Sequence, residues 1–146
     1  MRIYLDACSL QRPLDDRSQP RINIEAEAVL TILQLIESGQ LELLSSEVLR
    51  FEIDRIPNQY RKGQATEMLK LATHVIELND KIEVQADKLV KTGVKPLDAL
   101  HLASASWAKA DYFRTCDDKL LKKRNTGKNI ATEVVSPLQL VAEVAP

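Results

Sequence analysis

Gly93-Val94-Lys95-Pro96-Leu97-Asp98-Ala99-Leu100-His101-Leu102-Ala103-Ser104-Ala105, with Asp111-Tyr112-Phe113-Arg114-Thr115-Cys116-Asp117 close behind it, reads as a helix stop, a helix start, a buried helix, a strand and an acid. Gly93 suits the end of a preceding helix, and Pro96 suits the first turn of a new one, where its missing N–H would have had no intrahelical partner. From Leu97 to Lys109 a helix is expected, with Leu97, Ala99, Leu100, Leu102, Ala103, Ala105 and Ala108 spread nearly all round it. A helix apolar on every side must be largely buried. Tyr112 to Thr115 then forms a short strand, and Asp117 follows it directly.

The same alternation extends outward in both directions. Met1 to Leu5 is an apolar strand closed by Asp6 and followed by a turn-rich loop, Arg12 to Pro20. Ile22 to Ser38 has helical spacing, with Gly39 placed to stop it. Leu41 to Leu44 is a second strand, after which Ser45 or Ser46 caps a helix running through Glu52 to near Pro57. Tyr60 to Thr73 is a helix interrupted by Gly63, and His74 to Leu78 a short strand. Asp80 with Glu83 forms a capping-box pattern at the start of the helix that Gly93 ends. Past Asp117, Glu133 to Val135 is a last strand, leading into a short helix capped by Ser136 and begun by Pro137.

Helices that alternate with short, unalternating apolar strands imply an α/β three-layer sandwich around a central, mostly parallel sheet of four or five strands. In such sheets chemistry gathers beyond the carboxyl ends of the strands, where the strand order reverses. Asp6 and Asp117 stand at two such ends, with Asp118 as a spare. Taken singly, Asp6 or Asp118 is equally compatible with a helix cap. Asp98 is more telling, because an acid on a buried helix needs a reason; a place near the positive end of the helix dipole is one. Glu52 borders the apolar stripe made by Val48 and Leu49. If these acids converge, their repulsion calls for a cation, and oxygen-only ligands suit Mg²⁺ or Mn²⁺ rather than zinc. A pair of such ions activates water and stabilises the leaving oxygen in phosphodiester cleavage.

Length and composition set the bounds. A chain of 146 residues, 45% hydrophobic, is enough for one domain and one core. Its 20 basic and 21 acidic residues leave a net charge of −1, so a nucleic acid would have to be met by a local patch. Cys8 and Cys116 are far apart and form no metal-type pair, which favours a reducing compartment. No basic leader and no apolar run of about 20 residues is present, so a cytoplasmic protein with no membrane association is expected.

Four blocks of the chain resemble the PIN-domain nucleases, especially the VapC-like toxin ribonucleases. They are Ile3-Tyr4-Leu5-Asp6, the segment from Leu43 to Glu52, the segment from Gly93 to Ala105, and the segment from Asp111 to Asp117. The third is the most specific. The resemblance implies a single PIN-like nuclease domain over 1–146, with Asp6, Glu52, Asp98 and Asp117 as catalytic metal ligands and Thr115 near the metal or the attacked phosphate. Asp118 and Glu47 compete with Asp117 and Glu52 for their places. It further implies an RNA substrate, products with 5′-phosphate and 3′-hydroxyl ends, a homodimer, and a small antitoxin that blocks the crevice. Cys8 stands where many relatives carry a small polar residue.

Several other residues have blander readings. Lys119, Lys122, Lys123, Arg124 and Lys128 are as consistent with a solvated face as with a phosphate grip, and Arg12, Arg17 and Arg21 with ordinary surface arginines. His101 is expected to be packed or hydrogen-bonded rather than a general base, and Trp107 and Tyr112 to pack in the core. Two rivals to a nuclease remain: a catalytically silent PIN-like module that binds RNA or protein, and a Mg²⁺-binding phosphoacceptor domain. The latter needs a lysine at the end of the last strand, where Ser136-Pro137 stands.

Overall fold

The computed structural model describes residues 1–115 and 132–144. Strand β1 (Arg2–Leu5) leads into a short helix α1 (Ala7–Gln11), a 3-10 turn (Arg12–Leu14) and the long helix α2 (Pro20–Glu37). Then come β2 (Glu42–Ser46), α3 (Glu47–Asp54), α4 (Gln59–Leu69), β3 (His74–Ile76), α5 (Asp80–Lys91), α6 (Pro96–Trp107), β4 (Tyr112–Arg114), β5 (Glu133–Val135) and a helix over Pro137–Val144. The strands form one five-stranded sheet in the order β3-β2-β1-β4-β5. Every pairing is parallel, with Tyr4 opposite Leu44 on one flank and Phe113 on the other.

Successive strand residues point to opposite faces, yet Ile3, Tyr4 and Leu5 are all 0% exposed, so both faces of β1 are covered. The order explains how. The chain steps from β1 to β2 to β3 in one direction and then crosses back to β4, and right-handed crossovers in opposite directions place their helices on opposite faces. Tyr4 points to the α6 side, where its ring packs against His101. On α6 Ala99, Leu102, Ala103 and Ala105 are buried, whereas Leu97 at its start is exposed, so the helix is covered on most of its surface but not all round.

Local chemistry fixes the element ends. Helices α2 and α5 each close with paired bonds from the next two N–H groups to carbonyls near the helix end: Gly39 to Ile36 and Gln40 to Leu35, Gly93 to Val90 and Val94 to Leu89. This motif requires a positive φ, which both glycines supply (80° and 102°). Ser46, not Ser45, caps α3 by accepting the Leu49 N–H, while Ser45 stays in β2. Asn79 caps α5, and Asp80 is its first helical residue rather than its cap. Ser136 and Gln139 bond reciprocally at the start of the last helix, a capping box.

Helix α6 ends at Trp107, two residues short of the expected Lys109. Lys109 instead takes the left-handed position of the same closing motif, with φ 58° and bonds from Lys109 N to Ser106 O and from Ala110 N to Ala105 O. A side chain in that region costs about 1–2 kcal/mol, part of which glycine returns through its own unfolded-state entropy. Lys109→Gly is therefore expected to raise Tm by about 2–4 °C, a gain of up to about 1 kcal/mol. Thermal unfolding followed by circular dichroism checks it, and an unchanged or lower Tm would contradict the strain argument.

Candidate active site

The strand order reverses between β1 and β4, so the crevice beyond their carboxyl ends is the expected site. The Asp6 N–H donates to Arg114 O at 3.3 Å, which joins the two strand ends. Asp6 is buried and caps α1, its Oδ1 accepting the Ser9 N–H at 3.0 Å. The cap and the candidate site acid are thus the same residue, because the first turn after a strand needs an acceptor where the crevice opens. Cys8 Sγ lies 3.1 Å from the same Oδ1 and 3.7 Å from Thr115 Oγ1, so Asp6, Cys8 and the buried Thr115 share one corner.

A second group of polar contacts, mostly buried, links Ser46, Tyr4, His101 and Glu52. Tyr4 Oη is 2.6 Å from Ser46 Oγ and 2.6 Å from His101 Nδ1, and His101 Nε2 is 3.1 Å from Glu52 Oε2. Tyr4, Ser46 and His101 are buried, whereas the Glu52 side chain keeps 29% exposure. Burial pushes the Tyr4 hydroxyl far above its ordinary ionisation range, a hydrogen bond with Ser46 opposes this, and the charges of Asp6 and Glu52 add to it. Both carboxylates are therefore within electrostatic reach of one hydroxyl.

A sign follows for alkaline pH. The folded protein keeps the Tyr4 proton after an unfolded chain has lost it, so this contribution is complete below about pH 10 and disappears as pH rises further. The wild type should lose stability above about pH 10 more steeply than Tyr4→Phe, by up to about 1.4 kcal/mol per pH unit. Urea titrations at stepped pH measure both slopes, and equal slopes would contradict a buried Tyr4 hydroxyl.

Asp98 is half-buried in the first turn of α6 and shares the helix face of His101, three residues on. Glu47 turns elsewhere, its Oε2 accepting the Leu78 N–H at 3.0 Å, whereas Glu52 is held at His101. Asp117 and Asp118 lie outside the described residues, as do Lys119, Lys122, Lys123, Arg124 and Lys128. Among the described residues no three carboxylate, imidazole or thiol groups are close enough to hold an ion together. Mg²⁺ is commonly held by one or two carboxylates with water completing its shell, and oxygen donors such as Asp6 and Glu52 fit that mode.

The sequence alone assigned Tyr4 and Ser46 no part in the site. The available signal was register: Tyr4 is two residues before Asp6 on a strand, and Ser46 is the cap of the helix that carries Glu52. His101 is buried and hydrogen-bonded, as expected. Trp107 is not in the core; it is 49% exposed at the end of α6, with Lys81 Nζ 5.7 Å from its ring centre. Tyr112 is partly buried against the core. Arg12, Arg17 and Arg21 are engaged with carboxylates of the chain itself: Arg12 with Asp15 at 2.8 Å and Glu25 at 3.9 Å, Arg21 with Glu25 at 3.5 Å, and Arg17 with Glu27.

Comparisons with known proteins bear on this architecture. No curated protein matches the chain. Among solved structures, a chain of VapBC-1 from nontypeable Haemophilus influenzae is similar with a TM-score of 0.61 and 14% identity, covering 94% of this chain and 99% of that one. A chain of VapBC2 from Rickettsia felis, solved bound to a DNA fragment from the promoter, is similar with a TM-score of 0.55 and 12% identity, covering 92% and 99%. At these identities the likeness is one of fold. The family model for the PIN domain matches residues 3–125, which takes in β1, α3, α6 and β4, the elements that frame the crevice. The chain belongs to the PIN domain family.

Proposed function

We propose that this PIN domain, a single unit over 1–146, is a ribonuclease that depends on Mg²⁺ or Mn²⁺ and acts as the toxin of a toxin-antitoxin pair. The observation that carries the reading is the hydrogen-bonded chain that runs from Tyr4, two residues before Asp6, through His101 to Glu52 Oε2, although 46 positions separate the two acids. Like charges brought to one crevice need a cation or protons to offset their repulsion. Asp6, Glu52, Asp98 and Asp117 would hold the cation, with Asp118 beside them.

When bound, such a cation supplies an activated water and neutralises charge on a phosphodiester. The residues of the chain do the positioning. Asp6 is held through Oδ1 by the Ser9 N–H, and Glu52 is steadied by His101. The Thr115 hydroxyl, at the end of β4, would donate to a phosphate oxygen. VapBC structures are among the neighbours in fold, which supports a small antitoxin as partner; a homodimer as the working form belongs to the same proposal.

The test is cleavage of RNA by the purified protein. Cleavage is expected with Mg²⁺ or Mn²⁺ and is expected to stop with EDTA. Cleavage that persists in EDTA would overturn the metal dependence; no cleavage and no metal binding would favour a silent RNA- or protein-binding module.

A further inference from the structure

We infer that His101 is a positioning residue that holds the Glu52 carboxylate in place for the cation, as the terminal donor of a one-way hydrogen-bond chain built from Ser46, Tyr4 and His101. The inference rests on the metal-dependent reading above and adds to it a residue that is not itself a ligand.

The direction of the chain follows from donors and acceptors. The Leu49 N–H donates to Ser46 Oγ at 3.0 Å, so the Ser46 hydroxyl is free to turn its proton toward Tyr4 Oη, 2.6 Å away. Tyr4 then gives its proton to His101 Nδ1 at 2.6 Å, and His101 gives its Nε2 proton to Glu52 Oε2 at 3.1 Å. Each proton has an acceptor. Run the other way, the chain would leave the Ser46 proton without an acceptor among the described residues, a costly state for a group that is 0% exposed. The imidazole tautomer is thus assigned by its partners: proton on Nε2, acceptor at Nδ1.

The placement of the chain gives it a purpose beyond packing. Each of its members stands next to one acid along the chain or on its helix: Tyr4 lies in β1 two residues before Asp6, Ser46 ends β2 and caps the helix of Glu52, and His101 follows Asp98 on α6. His101 is 1% exposed and its ring is wedged against Tyr4, edge to face at 5.6 Å, so it has no freedom to follow a wandering carboxylate. Glu52 is the one member that reaches solvent, and an unrestrained glutamate samples many rotamers. With Oε2 committed to His101, the carboxylate plane is set and Oε1 remains for a cation. Partners that orient metal ligands typically contribute 10- to 100-fold in metal affinity.

The experiment is a Mn²⁺ titration followed by electron paramagnetic resonance on wild type, His101→Gln and His101→Leu, with a tautomer measurement on the wild type. His101→Leu is expected to bind Mn²⁺ about 10- to 100-fold more weakly, while His101→Gln, whose amide N–H can still reach Glu52, stays within about threefold of wild type. In the wild type, long-range ¹H–¹⁵N spectra of the imidazole are expected to show the proton on Nε2. His101→Leu binding as tightly as wild type, or a wild-type proton on Nδ1, would overturn the positioning role. The tautomer result stands even if His101→Leu fails to fold. Wild-type protein that takes up no Mn²⁺ would overturn the metal-site reading itself.

Discussion

Asp98→Asn is expected to lower the rate of RNA cleavage by about 100-fold or more while leaving the protein folded. Asparagine keeps the size of aspartate and one carbonyl acceptor but carries no charge, so it cannot offset a divalent cation. Partners of ligands are worth 10- to 100-fold in affinity or activity, and a ligand should be worth at least as much. The competing account of Asp98 makes a different forecast. As the third residue of α6 it also sits in the positive field of the helix N-terminus, an effect of about 0.3–1 kcal/mol. If that were its whole role, Tm would fall by a few degrees and cleavage would be unchanged once the protein was folded. Measuring kcat and Tm on the same preparation separates the two, and full activity in the variant would remove Asp98 from the site.

Phe113→Ala is expected to cost about 3–5 kcal/mol and to lower Tm by about 10–20 °C. Phe113 is 0% exposed at the middle of β4, with β1 on one side and β5 on the other. Its ring stacks on Tyr4, its register partner, with centroids 5.3 Å apart and planes 15° from parallel. Truncation removes a buried aromatic, that stacking, and the wall that keeps Tyr4 in line with His101. A urea or thermal unfolding curve reads the loss directly, and a fall of less than about 3 °C would mean that the core closes over the gap far better than parallel strands pinned on both sides should permit.

The fold was legible because β1 is apolar on both faces and the helices carry their own punctuation. Pro96, Gly39 and Gly93 are residues whose backbone chemistry allows few positions, and each stands where that chemistry puts it. Lys109 was misplaced for the converse reason: nothing in a lysine announces a left-handed backbone, and the expected helix ran on into it. Trp107 was misread because an aromatic on a buried helix favours the core, whereas the last turn of α6 turns that position outward.

The place of Asp6 at the end of β1 was legible from strand-end logic, and the favouring of Glu52 over Glu47 came from the resemblance alone. The contrast between their hydrogen bonds, one to His101 and the other to the Leu78 backbone, is a matter of three dimensions. The Tyr4, Ser46 and His101 chain was not legible for the same reason. Its members are 42 and 97 positions from Tyr4, and only the pairing of β1 with β2 and the packing of α6 over them bring the three atoms into line.

The most direct measurement is diffraction from crystals soaked in Mn²⁺, with anomalous differences used to find the ion. A peak in the crevice is expected, with an oxygen of Asp6 or Glu52 at about 2.1–2.2 Å and Asp98 and Asp117 reaching it directly or through water. A crystal in which Mn²⁺ binds away from these four side chains, or in which they face separate surfaces, would contradict the account.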